Sequence, residues 1–170
     1  MIGPDFATLL SFVFTDAEIN QSLLNKIHLD SLKHSFNAIT IDGDTSPNDS
    51  SCLVATGRSG IKIKKASRLE NVLSKAIKDL FEELAKLLVV DAEGATKLIS
   101  VNVHNAKNEN QAKEVAFTVA LSPLVKTAMF GNDANWGRIL AAIGRCKSCL
   151  LYTSPSPRDQ RGSGNAEWAW

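Results

Sequence analysis

Apolar and polar residues follow two different periods along this chain, and the switches between them divide it into elements. Ala7 to Phe14 is a short apolar run rich in Phe and Leu, the pattern of a buried strand. Leu23, Leu24, Ile27, Leu32 and Phe36 then recur at spacings that share one broad helical face. Ala38 to Ile41 reads as a second strand running into the polar loop Asp42-Gly43-Asp44-Thr45-Ser46-Pro47-Asn48-Asp49. Cys52 to Ala55 resumes an apolar strand, punctuated by Gly57 and Gly60. The strongest helical signal starts at Ser67. Ser67 and Glu70 have the S-x-x-E spacing in which two side chains satisfy backbone N–H groups of a first turn. Leu69, Val72, Leu73, Ala76, Ile77, Leu80, Phe81 and Leu84 follow at intervals of three and four, the face of an amphipathic helix.

After the polar break Asp91-Ala92-Glu93-Gly94, the run Leu98 to Val103 alternates Ile99, Val101 and Val103 with Ser100 and Asn102, a strand pattern with one wet face. Ala112, Val115, Ala116 and Val119 predict another helix. Ser122-Pro123 starts the next, with serine as cap and proline where its missing N–H costs nothing. Asp133 to Asn135 supply caps for a last helix through Trp136, Ile139, Leu140 and Ile143. Strands alternate with helices, so the expected class is mixed α/β. From Cys146 both periods stop. Cys149 to Asp159 resembles, over eleven continuous residues, the conceptual translation of a transposon-based sequencing adapter. The expectation is a native reading frame ending near Arg145, with a non-native tail over 146–170 that joins no packed core.

Composition narrows the function classes. The chain has 170 residues, enough for one domain or one domain and part of a second. With 44% hydrophobic residues and a net charge of +1, from 19 Lys+Arg against 18 Asp+Glu, it is neither a disordered tail nor a strongly basic chain. No bulk attraction to nucleic acid or an anionic membrane follows. Phe12, Val13 and Phe14 are preceded by Asp5 rather than a basic segment, and no apolar run approaches the roughly 20 residues that span a bilayer. Three cysteines form no disulfide framework, which points to a reducing, cytoplasmic compartment.

The candidate motifs thin out on inspection. Cys146-x-x-Cys149 is a single pair at the tail junction. His28 and His34 lie on the first helix and His104 is distant, whereas zinc needs about four ligands, so no metal is expected. Asp42-x-Asp44 with Asn48 and Asp49 fails the calcium-loop spacing and is interrupted by Pro47; it reads as a polar turn with Asx-type capping. Lys62, Lys64, Lys65 and Arg68 lack interleaved aromatics and read as a solvated edge. Gly57-x-x-Gly60 has neither phosphate-loop nor dinucleotide spacing, and no serine occupies a G-x-S-x-G elbow. No cofactor is implied.

Four strings in order carry more information. They are Met1-Ile2-Gly3-Pro4-Asp5-Phe6-Ala7-Thr8-Leu9-Leu10, the loop Asp42 to Asp49, Asp91-Ala92-Glu93-Gly94-Ala95-Thr96-Lys97, and Ser122 to Arg145 with its Asn135-Trp136-Gly137-Arg138-Ile139-Leu140-Ala141-Ala142 core. Over about residues 1 to 145 the chain resembles the ornithine acetyltransferase family, the bifunctional glutamate N-acetyltransferases of cyclic arginine biosynthesis. The resemblance implies a layered sheet-and-helix fold, an internal fragment of it, with a second small domain starting near Thr96. It also implies self-cleavage between Ala7 and Thr8, the end of an α chain and the start of a β chain. Thr8 is then the nucleophile, taking acetyl from N2-acetylornithine as an ester and passing it to glutamate. The α-amine freed beside the hydroxyl, with an intrinsic pKa of roughly 7.7–8.0, can take the hydroxyl proton.

Glu93 matches the family's substrate-contacting glutamate, whose carboxylate would pair with a substrate ammonium from a buried loop; a solvated helix-end carboxylate is the alternative. Trp136 and Arg138 belong to a family motif, with packing and site roles both open. The family's oxyanion-hole and substrate-lysine residues would lie upstream of Met1 and further contacts beyond the tail, so the missing α chain is an expected partner and oligomerisation is expected of the parent. Whether acetyl-CoA is also used stays open. Two rival readings are a catalytically silent binding or assembly fragment and an N-terminal-nucleophile peptidase of related fold.

Overall fold

The structure, a computed structural model, describes residues 9–44 and 47–146. They fall into two compact units, residues up to Ser100 and residues from Val101 onward. Helices and strands are mixed, as the alternating periods predict.

In the first unit, β1 (Leu10–Thr15) and β3 (Ser50–Ala55) pair in parallel, with Leu10 opposite Ser50 and Thr15 opposite Ala55. Parallel neighbours need a long crossover. Here it contains β2 (Glu18–Ile19), α1 (Gln21–His34) and a 3₁₀ turn at Phe36–Ala38. A second small parallel pair joins β2 to β4 (Lys62–Ile63), where Lys62 of the basic cluster meets Glu18 at 3.3 Å. Asn20 caps α1 by accepting the Ser22 N–H. Inside the helix, Ser31 Oγ donates to the Ile27 carbonyl and Ser35 Oγ to that of Ser31, so two buried hydroxyls are satisfied by the preceding turns.

The helix predicted from Ser67 is α2 (Arg68–Val90), 23 residues long. Ser67 Oγ accepts the Glu70 N–H at 3.1 Å, and the Glu70 carboxylate reaches back to the Ala66 N–H, one residue earlier than an ideal reciprocal box. Of its apolar stripe, Ile77, Phe81 and Ala85 are buried, joining Val13, Leu23, Ile27, Phe36 and Ile63 in the core. Leu69, Val72 and Leu80 stay exposed. Phe81 is fully buried, 5.4 Å from the Phe36 ring and 5.6 Å from the His28 ring.

Three strand expectations change. The first strand starts at Leu10 and runs to Thr15, and it is covered on one face only. Residues 38–41 form the end of the 3₁₀ turn and an irregular stretch, because no described strand lies beside them to complete a ladder. Residues 98–103 alternate as a strand should, yet they too lack a pairing partner among the described residues and are irregular.

The second unit holds α3 (Glu109–Ala120), α4 (Pro123–Phe130) and α5 (Trp136–Ile143), packed around Val119, Val125 and Ala142. Pro123 opens α4 as expected, but Ser122 makes no side-chain capping bond there. Asn135 does cap α5, accepting the Arg138 N–H at 3.2 Å. No helix among the described residues is long and apolar enough to cross a membrane.

Candidate functional site

Ala7 and Thr8, the expected cleavage site and nucleophile, lie outside the described residues, as do Cys149 and the tail from residue 147. Cys146, the first residue of that tail, is described and buried. The site is therefore approached from Leu9, the residue bonded to Thr8.

Leu9 is held at both of its main-chain polar groups from forty residues away. The Asp49 carboxylate accepts its N–H. Its carbonyl accepts the Ser50 N–H at 2.7 Å. Asp49 is half-buried and closes the Asp42–Asp49 motif, whose opening forms the expected Asx turn, with Asp42 accepting the Asp44 N–H at 3.0 Å. The motif thus ends as a clamp on the start of β1.

Residues 9–12 form one wall of a groove of about 780 Å³. Leu84, Leu87, Leu88, Val90 and Asp91 at the C-terminal end of α2 form the other, with Phe36 between them in sequence. This volume lies in the range of small-molecule sites. The lining is mostly apolar, with the Asp91 carboxylate as its charged group, so the groove brings the first residue of the Asp91–Lys97 motif to the chain that follows Thr8. Ser11 also lines it; its Oγ is buried without a hydrogen-bond partner among the described residues.

Glu93 stands two residues beyond Asp91, in the turn that ends α2, ahead of Gly94 at φ +71. Its side chain is exposed, where a buried-loop acid was expected. The helix has stopped at Val90, and no described residue packs over the turn to cover the carboxylate. On α1, the half-buried His28 shares a 2.9 Å hydrogen bond, Nε2 to Ser51 Oγ, across to β3. Burial pushes its imidazole below the usual histidine value.

In the second unit, Arg138 Nη1 donates to the Leu124 carbonyl and to Thr127 Oγ1, both at 3.0 Å. That ties α5 to α4 and gives Arg138 a packing role. Trp136 begins α5 half-exposed. The residues that pattern reading passed over are Asp49, read as one member of a polar turn, and the His28–Ser51 pair. Only the position of Asp49 at the end of a motif hinted at a fixed role; the pairing of positions 28 and 51 left no local trace.

The chain matches the model of the ArgJ family over residues 1–155. It is 47% identical over 147 residues to the arginine biosynthesis bifunctional protein ArgJ of Pseudomonas syringae pv. tomato, covering 85% of this chain and 36% of the relative. The mitochondrial protein of the same name from Schizosaccharomyces pombe is 48% identical over 145 residues, covering 85% and 33%. The crystal structure of the argJ protein from Bacillus halodurans superposes with a TM-score of 0.78 at 43% identity, over 82% of this chain and 66% of that one. The chain spans about a third of the length of the curated relatives it matches. A family match over nine-tenths of the chain, with a close structural counterpart, shows that this chain belongs to the ArgJ family.

Proposed function

We propose that this chain is part of an acyltransferase of arginine biosynthesis that carries acetyl from N2-acetylornithine to glutamate on the hydroxyl of Thr8. Family membership and the names of the relatives support the pathway. The observation that carries the site is the groove, in which residues 9–12 and Asp91 bring the chain after Thr8 and the motif of Glu93 to one opening.

Two acyl shifts on one oxygen make up the chemistry. In the precursor, the Thr8 hydroxyl attacks the Ala7 carbonyl carbon and the bond from that carbon to the Thr8 nitrogen breaks. The nitrogen keeps the hydroxyl proton, and water then hydrolyses the ester. This leaves Ala7 as a carboxylate and Thr8 with a free amine beside its hydroxyl. In turnover, the amine accepts the hydroxyl proton as oxygen attacks the acetyl carbon of N2-acetylornithine. The proton passes to the departing ornithine nitrogen, and an acetyl ester remains. Glutamate, through its neutral α-amine, attacks that ester; N-acetylglutamate leaves and the Thr8 oxygen regains a proton. Ping-pong kinetics follow. Glu93, exposed in the turn two residues after Asp91, offers a carboxylate to a substrate ammonium.

No cofactor takes part in this scheme, and the cytoplasm is its proposed setting, with acetyl-CoA as a further donor left to assay. The 170 residues by themselves are catalytically silent in this reading, since removing one oxyanion donor costs about 10²–10³-fold and those donors are assigned to the α chain. In the family-length polypeptide, Thr8→Ala abolishes both self-cleavage and transfer, and Thr8→Ser keeps part of each. Normal processing of the alanine variant on a denaturing gel would end the assignment. Glu93→Gln weakens use of either amino acid and leaves processing intact.

A further inference from the structure

We infer that Ser11 and Asp91 are ligand-binding residues, which take a diamino-acid substrate by its aliphatic side chain in the groove between β1 and the end of α2. The identity of the ligand rests on the reading of the chain as part of an acyltransferase that uses N2-acetylornithine. The lining of the groove does not. Ser11 is 7% exposed, and its Oγ has no hydrogen-bond partner among the described residues. A buried hydroxyl in that state has given up water and gained nothing for it. Two other buried serines avoid the loss: Ser31 and Ser35 donate to carbonyls one helical turn back. Ser11 stands on a strand, where side chains point away from the main-chain ladder. Its neighbour across the ladder, Ser51, already shares its Oγ with His28 Nε2. What remains in front of Ser11 is the groove that it lines. A buried polar group without a partner calls for an explanation, and a bound molecule supplies one.

The rest of the lining sets the chemistry of that molecule. Leu9, Phe12, Leu84 and Leu88 offer apolar surface to methylene groups. Asp91 is the charged residue of the lining, and its carboxylate favours a cation and repels an anion. A methylene chain that ends in an ammonium, on a body that carries carbonyl oxygens, uses all three features. N2-acetylornithine is such a molecule: its side-chain ammonium pairs with Asp91, and the Ser11 hydroxyl donates to one of its oxygens. Glutamate ends its side chain in a carboxylate and is disfavoured by Asp91. The groove thereby selects the acetyl donor over the acceptor.

The test titrates the 170-residue chain with three ligands and follows its backbone amide NMR signals. They are N2-acetylornithine, N2-acetylnorvaline, which keeps the carbon chain and lacks the ammonium, and glutamate. N2-acetylornithine is expected to bind about fivefold more tightly than N2-acetylnorvaline, the scale of an exposed ion pair. Asp91→Asn is expected to erase that difference. Ser11→Ala should weaken both acetylated ligands about fivefold, the scale of one hydrogen bond. It should also leave the urea midpoint of the free chain unchanged or raise it, since the substitution removes an unpaired buried hydroxyl. A lower midpoint would make Ser11 a structural residue and overturn its role. Equal binding of all three ligands, or an asparagine variant that still distinguishes the two acetylated ones, would overturn that of Asp91. In the family-length protein, Asp91→Asn should raise KM for N2-acetylornithine about fivefold and hold that for glutamate within about twofold. Unchanged values for both would show the groove filled by the rest of the polypeptide, and the inference would fall. If the ligands bind as expected but the family-length protein moves no acetyl, the acyltransferase reading fails and the binding site stands.

Discussion

The two faces of the β1–β3 sheet are built from opposite kinds of residue, and not in the way hydrophobicity alone would sort them. The inner face of β1 presents Ser11 and Val13, 7% and 9% exposed, to the core below α1 and α2. The outer face presents Leu10, Phe12 and Phe14, at 66%, 61% and 67%. Across on β3, Ser51 and Leu53 point with the inner set, and Cys52 and Val54 with the exposed one. The larger apolar side chains are thus the ones in water. The inner face packs Val13 and Leu53 against the core that Phe36, Ile77 and Phe81 build, while Ser11 lines the groove. Parallel sheets normally have both faces covered, whereas among the described residues the outer face of this one is open.

Four measurements bear on this contrast. The largest effect should come from the inner side: Phe81→Ala empties the centre of the core and is expected to cost about 3–5 kcal/mol, read as a collapse of the urea midpoint of the first unit. Next is the cap of the helix that covers that face. Ser67→Ala removes the oxygen that accepts the Glu70 N–H and should cost about 1 kcal/mol, whereas an unchanged midpoint would mean α2 is held by packing alone.

A smaller effect is expected from acid. Burial keeps His28 below the ordinary histidine value of about 6.5. As pH falls, the unfolded chain therefore takes up the proton first, and unfolding becomes coupled to proton uptake. The contribution of His28 is whole above about pH 6.5 and is lost as pH falls toward its folded value. His28→Gln should flatten the stability slope just below pH 6.5; an unaltered slope would show that the Ser51 contact does not depend on the neutral ring.

The smallest effect should be Phe12→Ala on the outer face. In the 170-residue chain it is expected to change stability by less than about 0.5 kcal/mol. The same substitution in the family-length protein sharpens the comparison: a cost of about 3–5 kcal/mol there would show the face covered, and a second neutral result would show it wet in the parent as well.

Helices were legible in the sequence almost wherever they occur. Ser67 with Glu70, Asn135, and the Ser122-Pro123 step marked where α2, α5 and α4 begin. The family could be read too, from four ordered strings. The candidate site was legible only as isolated residues. The motif puts Glu93 forward as an acid in a buried loop, and its side chain stands exposed. Asp49 was seen as part of a turn, with no sign that its carboxylate holds Leu9.

The division has one physical cause. A helix bonds each N–H to a carbonyl four residues back and caps its first turn within three, so its evidence is local and survives in a short window. A strand bonds to whatever lies beside it. Residues 38–41 and 98–103 carry apolar or alternating patterns yet form no strand, for want of a described neighbour. Residues 10–15 form one because Ser50–Ala55 lies alongside. Which face of that strand is buried, and which carboxylate ends its ladder, were settled by contacts forty residues apart, which no local pattern encodes.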